Sequence, residues 1–223
     1  MEGADHAVKY FLTEVFRLLR VRHKVFEDIP MEYLEPVDEV SSTLIENMSK
    51  VVFMHSFSSR SLWHPYLKNN LERWNASWKL YLQYTIYTYY CINDGIYEVN
   101  ERLVSILSVA AITESFLCNR GYKEYLGDSI KILCKFFKKE VAKNFFVGGG
   151  WKSLQSYLLS HEYLTMYGEK RPISEAEVAI TNDRLKGLLS KFMKNFVPES
   201  IQREEIENHE PTKTMVDCIL QQP

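Results

Sequence analysis

One segment of the chain, Leu103 to Leu117, is apolar on nearly every side of a helix. Such a helix has to be surrounded by other helices or by lipid. A turn at Asn119-Arg120-Gly121 follows, and then a second, amphipathic segment from Tyr125 to Phe146. Because the sequence has no run of about 18 apolar residues, it predicts no simple membrane span. It predicts instead a hydrophobic hairpin at the centre of a helical bundle.

The preceding segments favour an all-α fold. Apolar residues recur every three or four positions in Val8 to Leu19 and again in Val37 to Val52, as on one face of a helix. The serine-rich stretch from Phe53 to Pro65 predicts irregular structure. Trp78 to Ile92 fits both the alternation of a strand and the face of a helix, and its local signals alone favour the strand. We predict a helix there, because a single strand would have nothing to pair with.

Three regions follow from this pattern. Residues 1–170 are expected to form the bundle, and residues 171–198 an additional amphipathic helix. Ser174 and Glu177 resemble a capping box at the start of that helix. Leu185 to Val197 is too short for a membrane anchor and carries three lysines, which favours an amphipathic helix that is bound to a membrane surface or packed on the bundle. Residues 199–223 are polar and acidic and are predicted to be disordered.

Composition excludes several classes of function. The formal net charge is -2, so the chain lacks the net positive charge that is typical of nucleic-acid-binding proteins. The four cysteines have no paired spacing, which is typical of a reduced, cytoplasmic chain. The six histidines lack the spacing of zinc ligands. We therefore predict no metal, no cofactor and no nucleic-acid partner.

One glycine-rich segment superficially resembles a phosphate-binding loop. Residues 148–153 read Gly-Gly-Gly-Trp-Lys-Ser, but Trp151 stands where that motif needs glycine before the lysine. The segment also follows a helical pattern, whereas a phosphate loop follows a strand. No other arrangement of side chains suits catalysis, so we predict that the chain is not an enzyme and has no catalytic residues.

Two motifs in the central segment point to a known family. Asp94-Gly95 precedes Asn100-Glu101-Arg102, which opens the apolar helix, and Gly149-Gly150-Trp151 follows the second segment. In this order the motifs resemble the first and second homology regions of the B-cell-lymphoma-two (Bcl-two) family of apoptosis regulators. The likeness suggests a divergent pro-survival member from an invertebrate or a virus, with a Bcl-two-like bundle around the central hairpin.

The resemblance implies a helix-binding groove. Family members use their second to fifth helices to bind the amphipathic death-motif helix of a pro-apoptotic partner. An arginine, matched here by Arg102, pairs with an aspartate of that partner. Gly149, Gly150 and Trp151 would be a structural motif. The groove residues by position are Leu44, Met48, Val52, Tyr87, Cys91, Asn100, Arg102, Val104 and Ile106. For the apolar members, ordinary core packing is the alternative explanation.

Two departures from the family pattern bear on whether the chain has a pro-survival or a pro-death role. Glu101 stands where the family has glycine beside the arginine, and Ser41 replaces the main leucine anchor of the third homology region. Because its own death motif lacks the main anchor, the chain is expected to bind such motifs of other proteins. The resemblance then implies pro-survival sequestration in the cytoplasm and at the mitochondrial outer membrane surface. The alternatives are a pro-death, membrane-permeabilising member or a helical adaptor that uses the fold as a scaffold.

Glu98 raises a further hypothesis about Arg102. It lies four residues before Arg102, the favourable orientation for an ion pair if both positions are helical. Glu101 is adjacent to the same arginine. We therefore expect Arg102 to be partly paired with its own carboxylates, so that a partner has to compete for it.

Overall fold

The computed structural model describes residues 2–23, 31–189, 201 and 203–221, and every regular element in these ranges is helical. This confirms the predicted all-α class, including the helix predicted for Trp78 to Ile92. The α-helices are α1 (Glu2–His23), α2 (Ser42–Asn69), α3 (Leu71–Trp74), α4 (Trp78–Gly95), α5 (Val99–Cys118), α6 (Ser129–Phe136), α7 (Ala142–Val147), α8 (Gly150–Ser160), α9 (Glu162–Gly168), α10 (Glu175–Leu189), α11 (Arg203–Asn208) and α12 (Glu210–Leu220).

The prediction of irregular structure from Phe53 to Pro65 is wrong, because α2 runs through the whole stretch and contains Pro65. Serine hydroxyls can compete with a helix by bonding to the backbone in other conformations. Here the buried hydroxyls donate to carbonyls of the preceding turn of α2 itself, and the helix continues without interruption. These hydroxyls belong to Ser56, Ser58 and Ser59.

Helix α5 is the apolar segment, and its burial on all sides is confirmed: only Val99 and Ser115 are partly exposed. Its main neighbour is α2, and α1, α4, α7 and α8 also pack on it. The second segment of the predicted hairpin forms α6, a π-helical turn (Phe137–Val141) and α7. Because α6 packs mainly against α1, only the first segment of the hairpin is central.

The Gly-Gly-Trp motif forms the corner between α7 and α8. Gly149 and Gly150 have φ angles of 101° and 55°, which favour glycine. A Cβ on Gly149 would also lie 3.1 Å from the Cβ of Ser153. The indole ring of Trp151 packs with the rings of Phe11 and Phe145, at centroid distances of 4.9 and 5.0 Å. The glycine φ angles and the packing of the indole ring at this corner are sufficient to explain the Gly-Gly-Trp motif.

The C-terminal region differs from the predicted disordered tail. Helices α11 and α12 both pack on α4, and they bury Ile206, Met215, Val216 and Ile219. The average composition of residues 199–223 is polar, but these few apolar residues recur at helical spacing and supply one packing face. Of the additional helix predicted for 171–198, residues 175–189 form α10, and residues 190–198 lie outside the described part.

The predicted capping box at the start of α10 is confirmed. The Ser174 amide donates to Glu177 Oε2 over 2.8 Å, and the Glu177 amide donates to Ser174 Oγ over 3.3 Å. Within the described ranges, none of the helices is both long enough and apolar enough to cross a membrane.

A buried ion pair joins α1 to α5. Arg20 donates from Nε to Glu114 Oε2 over 3.1 Å and from Nη2 to Glu114 Oε1 over 3.0 Å, and both side chains are almost fully buried. Arg20 Nη2 also donates to the carbonyl of Leu126 over 3.3 Å. The bidentate geometry fixes the position of α1 against the central helix.

We expect Arg20→Met to lower the free energy of unfolding by about 3–5 kcal/mol, because it leaves the Glu114 carboxylate buried without its cation. Adding Glu114→Leu should recover most of that loss, since no charge then remains buried. Urea unfolding of the two single variants and the double variant measures the coupling. Strictly additive effects would contradict the account.

Candidate helix-binding surface

The nine predicted groove residues lie on the helices that the resemblance implies. Leu44, Met48 and Val52 are on α2, Tyr87 and Cys91 on α4, and the other four on α5. All nine are buried, so they belong to the core of this conformation and do not line an open groove. Burial also raises the pKa of the Cys91 thiol, which keeps it in the unreactive neutral form.

Two parts of the C-terminal region pack on the helices that carry these residues. Helix α10 packs against both α2 and α4, two of the three helices that supply the predicted groove residues. Helices α11 and α12 pack on α4, and the ring of His209, just before α12, lies 5.2 Å from the ring of Tyr87 and 5.3 Å from that of Tyr90. A helix from another protein would therefore meet helices of this chain first.

Arg102 is bound within its own chain. Its guanidinium donates from Nε to the Ile96 carbonyl over 2.8 Å, from Nη1 to Asn93 Oδ1 over 3.2 Å and from Nη2 to the Tyr97 carbonyl over 3.2 Å. The side chain therefore closes the loop between α4 and α5. Burial lowers the pKa of Arg102, and the nearby carboxylates of Asp94 and Glu98 act in the opposite direction. Only 9% of the residue is exposed, so a partner's aspartate cannot reach it without moving this loop.

The hypothesis that Glu98 pairs with Arg102 is wrong in its geometry. Glu98 is the N-cap of α5, and its carboxylate accepts from the Asn100 amide at 3.0 Å and from the Glu101 amide at 2.5 Å. A carboxylate used in this way satisfies the free amides of the first turn. The Asn100 side chain joins the same corner, since its Nδ2 donates to Glu98 over 3.0 Å and to Ser153 Oγ over 3.3 Å.

Glu101 has the most distinctive environment on this surface. Its side chain is only 7% exposed, and its Oε2 accepts a hydrogen bond from the Tyr157 hydroxyl of α8. Its Oε1 lies 3.3 Å from Nη2 of Arg184 on α10, a side chain that is 55% exposed. The sequence predicts Glu101 as an obstacle to a partner helix and as a carboxylate beside Arg102, whereas the partners found here are Tyr157 and Arg184. A charged residue inside an otherwise apolar helix was the signal that it needs a partner of its own.

The residues of the third homology region have roles inside this molecule. Ser41, which replaces the family's leucine anchor, caps α2 by accepting from the Leu44 amide over 3.1 Å. Burial favours a higher pKa for Glu46, but Arg22 at 2.8 Å and Lys50 at 3.3 Å lower it overall. Ser41 and Glu46, which stands at the position of the motif's aspartate, therefore both have partners within the chain.

Residues 175–187 of α10 bury a single side chain. Among these residues, whose side chains are described, only Leu185 is buried. Their polar contacts include Thr181 with the Tyr163 hydroxyl at 2.7 Å, and Asn182 Nδ2 to Ser61 Oγ at 2.6 Å. Burial of a leucine side chain is worth about 1.5–3 kcal/mol, so Leu185 is the main apolar anchor of this part of the helix.

A cavity of about 460 Å³ lies elsewhere, between α1 and the run from α6 to α7, and none of the predicted groove residues lines it. Its wall combines apolar side chains with four lysines, of which Lys9 pairs with Glu32 at 2.6 Å and Lys138 pairs with Asp5. Over the described ranges, no group of three or more acidic, histidine or cysteine side chains is arranged to hold a metal ion.

Comparison of the chain with protein-family models, with curated proteins and with solved structures finds no match. The geometry of this surface and the sequence resemblance are therefore the indications of function.

We expect Arg102→Met to lower the free energy of unfolding by about 2 kcal/mol, because the variant removes a charged donor from the carbonyl of the buried Ile96. Arg17→Met is the matched control, since Arg17 is half exposed and pairs only with Glu14 in the same helix. Urea unfolding measures both variants. A loss for Arg102→Met no greater than that of the control would contradict the proposed loop-closing role.

Proposed function

We propose that this chain is a non-enzymatic regulator of apoptosis that sequesters the death-motif helix of a pro-apoptotic partner on the surface now covered by α10. The observation that carries the proposal is the position of α10 itself. A helix already lies on α2 and α4, two of the three helices that carry the predicted groove residues. A surface that packs one helix has the shape to pack another.

The single buried side chain among residues 175–187 of α10 supports exchange. Leu185 is that side chain, and Thr181, Asn182 and the half-exposed Arg184 add polar contacts. A partner helix with several apolar anchors at i, i+3/i+4 and i+7 would bury more apolar side chains than these residues do. Since the partner binds only the uncovered state, its apparent affinity is reduced by the fraction of molecules that are covered.

The arrangement favours sequestration over presentation of a death motif. Ser41 and Glu46 are engaged within the chain as cap and ion-pair partner, so α2 is not available as an exported helix. A chain of this kind acts where its partners are, in the cytoplasm and at the mitochondrial outer membrane, as the resemblance implies.

Calorimetric titration of the full chain with a panel of death-motif peptides tests the proposal. We expect weak binding to the unaltered chain and at least about tenfold tighter binding to Leu185→Asp, because a charge at this buried position detaches the cover. Ile180→Asp is the control, since that side chain lies on the same helix and is 67% exposed. It should leave the affinity unchanged.

The proposal fails if no peptide of the panel binds either the unaltered chain or Leu185→Asp, and the adaptor alternative then gains support. A liposome-release assay run alongside separates the pro-death alternative. Release of vesicle contents after addition of a death-motif peptide would contradict sequestration, whereas binding without release agrees with it.

A further inference from the structure

The pairing of Glu101 identifies the chemistry that this surface requires of a helix. One carboxylate oxygen is bonded to Tyr157, which belongs to the bundle, and the other faces Arg184, which belongs to the cover. When a partner helix replaces α10, Tyr157 stays and the cation of Arg184 departs. Under the incoming helix the carboxylate then keeps a single neutral donor from this chain.

The neighbouring basic groups do not replace the lost cation. Arg102 is held by the loop between α4 and α5. The imidazoles of His55 and His161 lie near Glu101, but burial lowers the pKa of His55 to about 4 and lowers that of His161 as well. Both rings are therefore neutral at neutral pH while α10 is in place, and an incoming helix that buries them again favours the neutral form.

A buried charge that loses its partner is costly, and a like charge brought next to it adds repulsion. A helix that displaces α10 avoids this cost only if it brings its own cation to the same place. We propose, on the basis of the proposed function, that Glu101 is the specificity-determining residue of this surface. It selects a partner helix with arginine or lysine where Arg184 lies, and it disfavours one with aspartate there.

The contacts of α10 also give the spacing of the selected helix. Leu185 follows Arg184 directly and is the buried anchor, whereas Thr181 lies three residues before Arg184 and bonds to Tyr163. A partner is therefore expected to carry an apolar residue immediately after the cation and a hydroxyl or small residue three positions before it. Polar recognition at Glu101 adds specificity, while the apolar anchor adds most of the affinity.

Peptides with the sequence of residues 172–189 test the selection directly. The receptor is the full chain with Leu185→Asp, and the probes are the unaltered peptide and peptides with Arg184→Asp or Lys186→Asp. Lys186 is exposed on the same helix, so its substitution gives a matched control for net charge. We expect the Arg184→Asp peptide to bind about tenfold more weakly than the Lys186→Asp peptide.

The same titrations with Glu101→Gln added to the receptor complete the test. Glutamine can still accept from Tyr157 but carries no charge, so the two variant peptides should then bind within about twofold of each other. The proposal would be overturned if the two variant peptides bind equally well to the receptor that carries Leu185→Asp alone. It would also be overturned if the difference between them persists after Glu101→Gln. The chain with Leu185 intact is a second receptor, on which weaker binding with the same ratio is expected.

The death-motif panel separates this inference from the proposed function. If no death-motif peptide binds but residues 172–189 bind with the expected discrimination, Glu101 selects helices and the role in apoptosis is rejected. If death-motif peptides bind equally well with aspartate or arginine facing Glu101, sequestration stands and the selection by Glu101 is rejected.

Discussion

A helix that is buried on all sides also buries whatever charged residues it carries, and each of these has to find a partner because an unpaired buried charge is costly. Helix α5 carries three such residues, Glu101, Arg102 and Glu114. Each is bound by a different part of the molecule. Glu114 holds α1, Arg102 holds the loop that joins α4 to α5, and Glu101 holds α8 and α10. These three attachments position the surrounding helices against the core.

Two of these charges lie side by side but differ in how easily another protein can reach them. Arg102 bonds to backbone carbonyls of the adjoining loop, so using it in recognition would require that loop to rearrange. Glu101 shares its carboxylate with α10. Among residues 175–187 of that helix, only Leu185 is buried. The accessible charge is therefore the carboxylate. For this reason the surface favours a cationic helix, although the family pattern leads one to expect the arginine to meet an acidic one.

Periodicity was sufficient to predict α1, the first half of α2 and the burial of α5 on all sides, because these depend on local spacing, whereas α4 was predicted only because a single strand would have nothing to pair with. It failed for the serine-rich half of α2, where the hydroxyls bond to their own helix, and for residues 203–221, where the average composition hid a short apolar face. The partners of Arg102 and Glu101 could not be predicted. Glu98 has the correct spacing for an ion pair but caps α5, and Arg184 approaches Glu101 only through the tertiary fold.

Native-state amide hydrogen exchange of the full chain tests most directly whether α10 is a removable cover on a fixed core. The account predicts that amides of α10 exchange through a local opening whose free energy lies well below that of global unfolding, while central amides of α5 exchange only through global unfolding. Amides of α10 that are as strongly protected as those of α5, with the same dependence on denaturant, would contradict it. The cover would then be part of the cooperative core, and no partner helix could replace it without unfolding the protein.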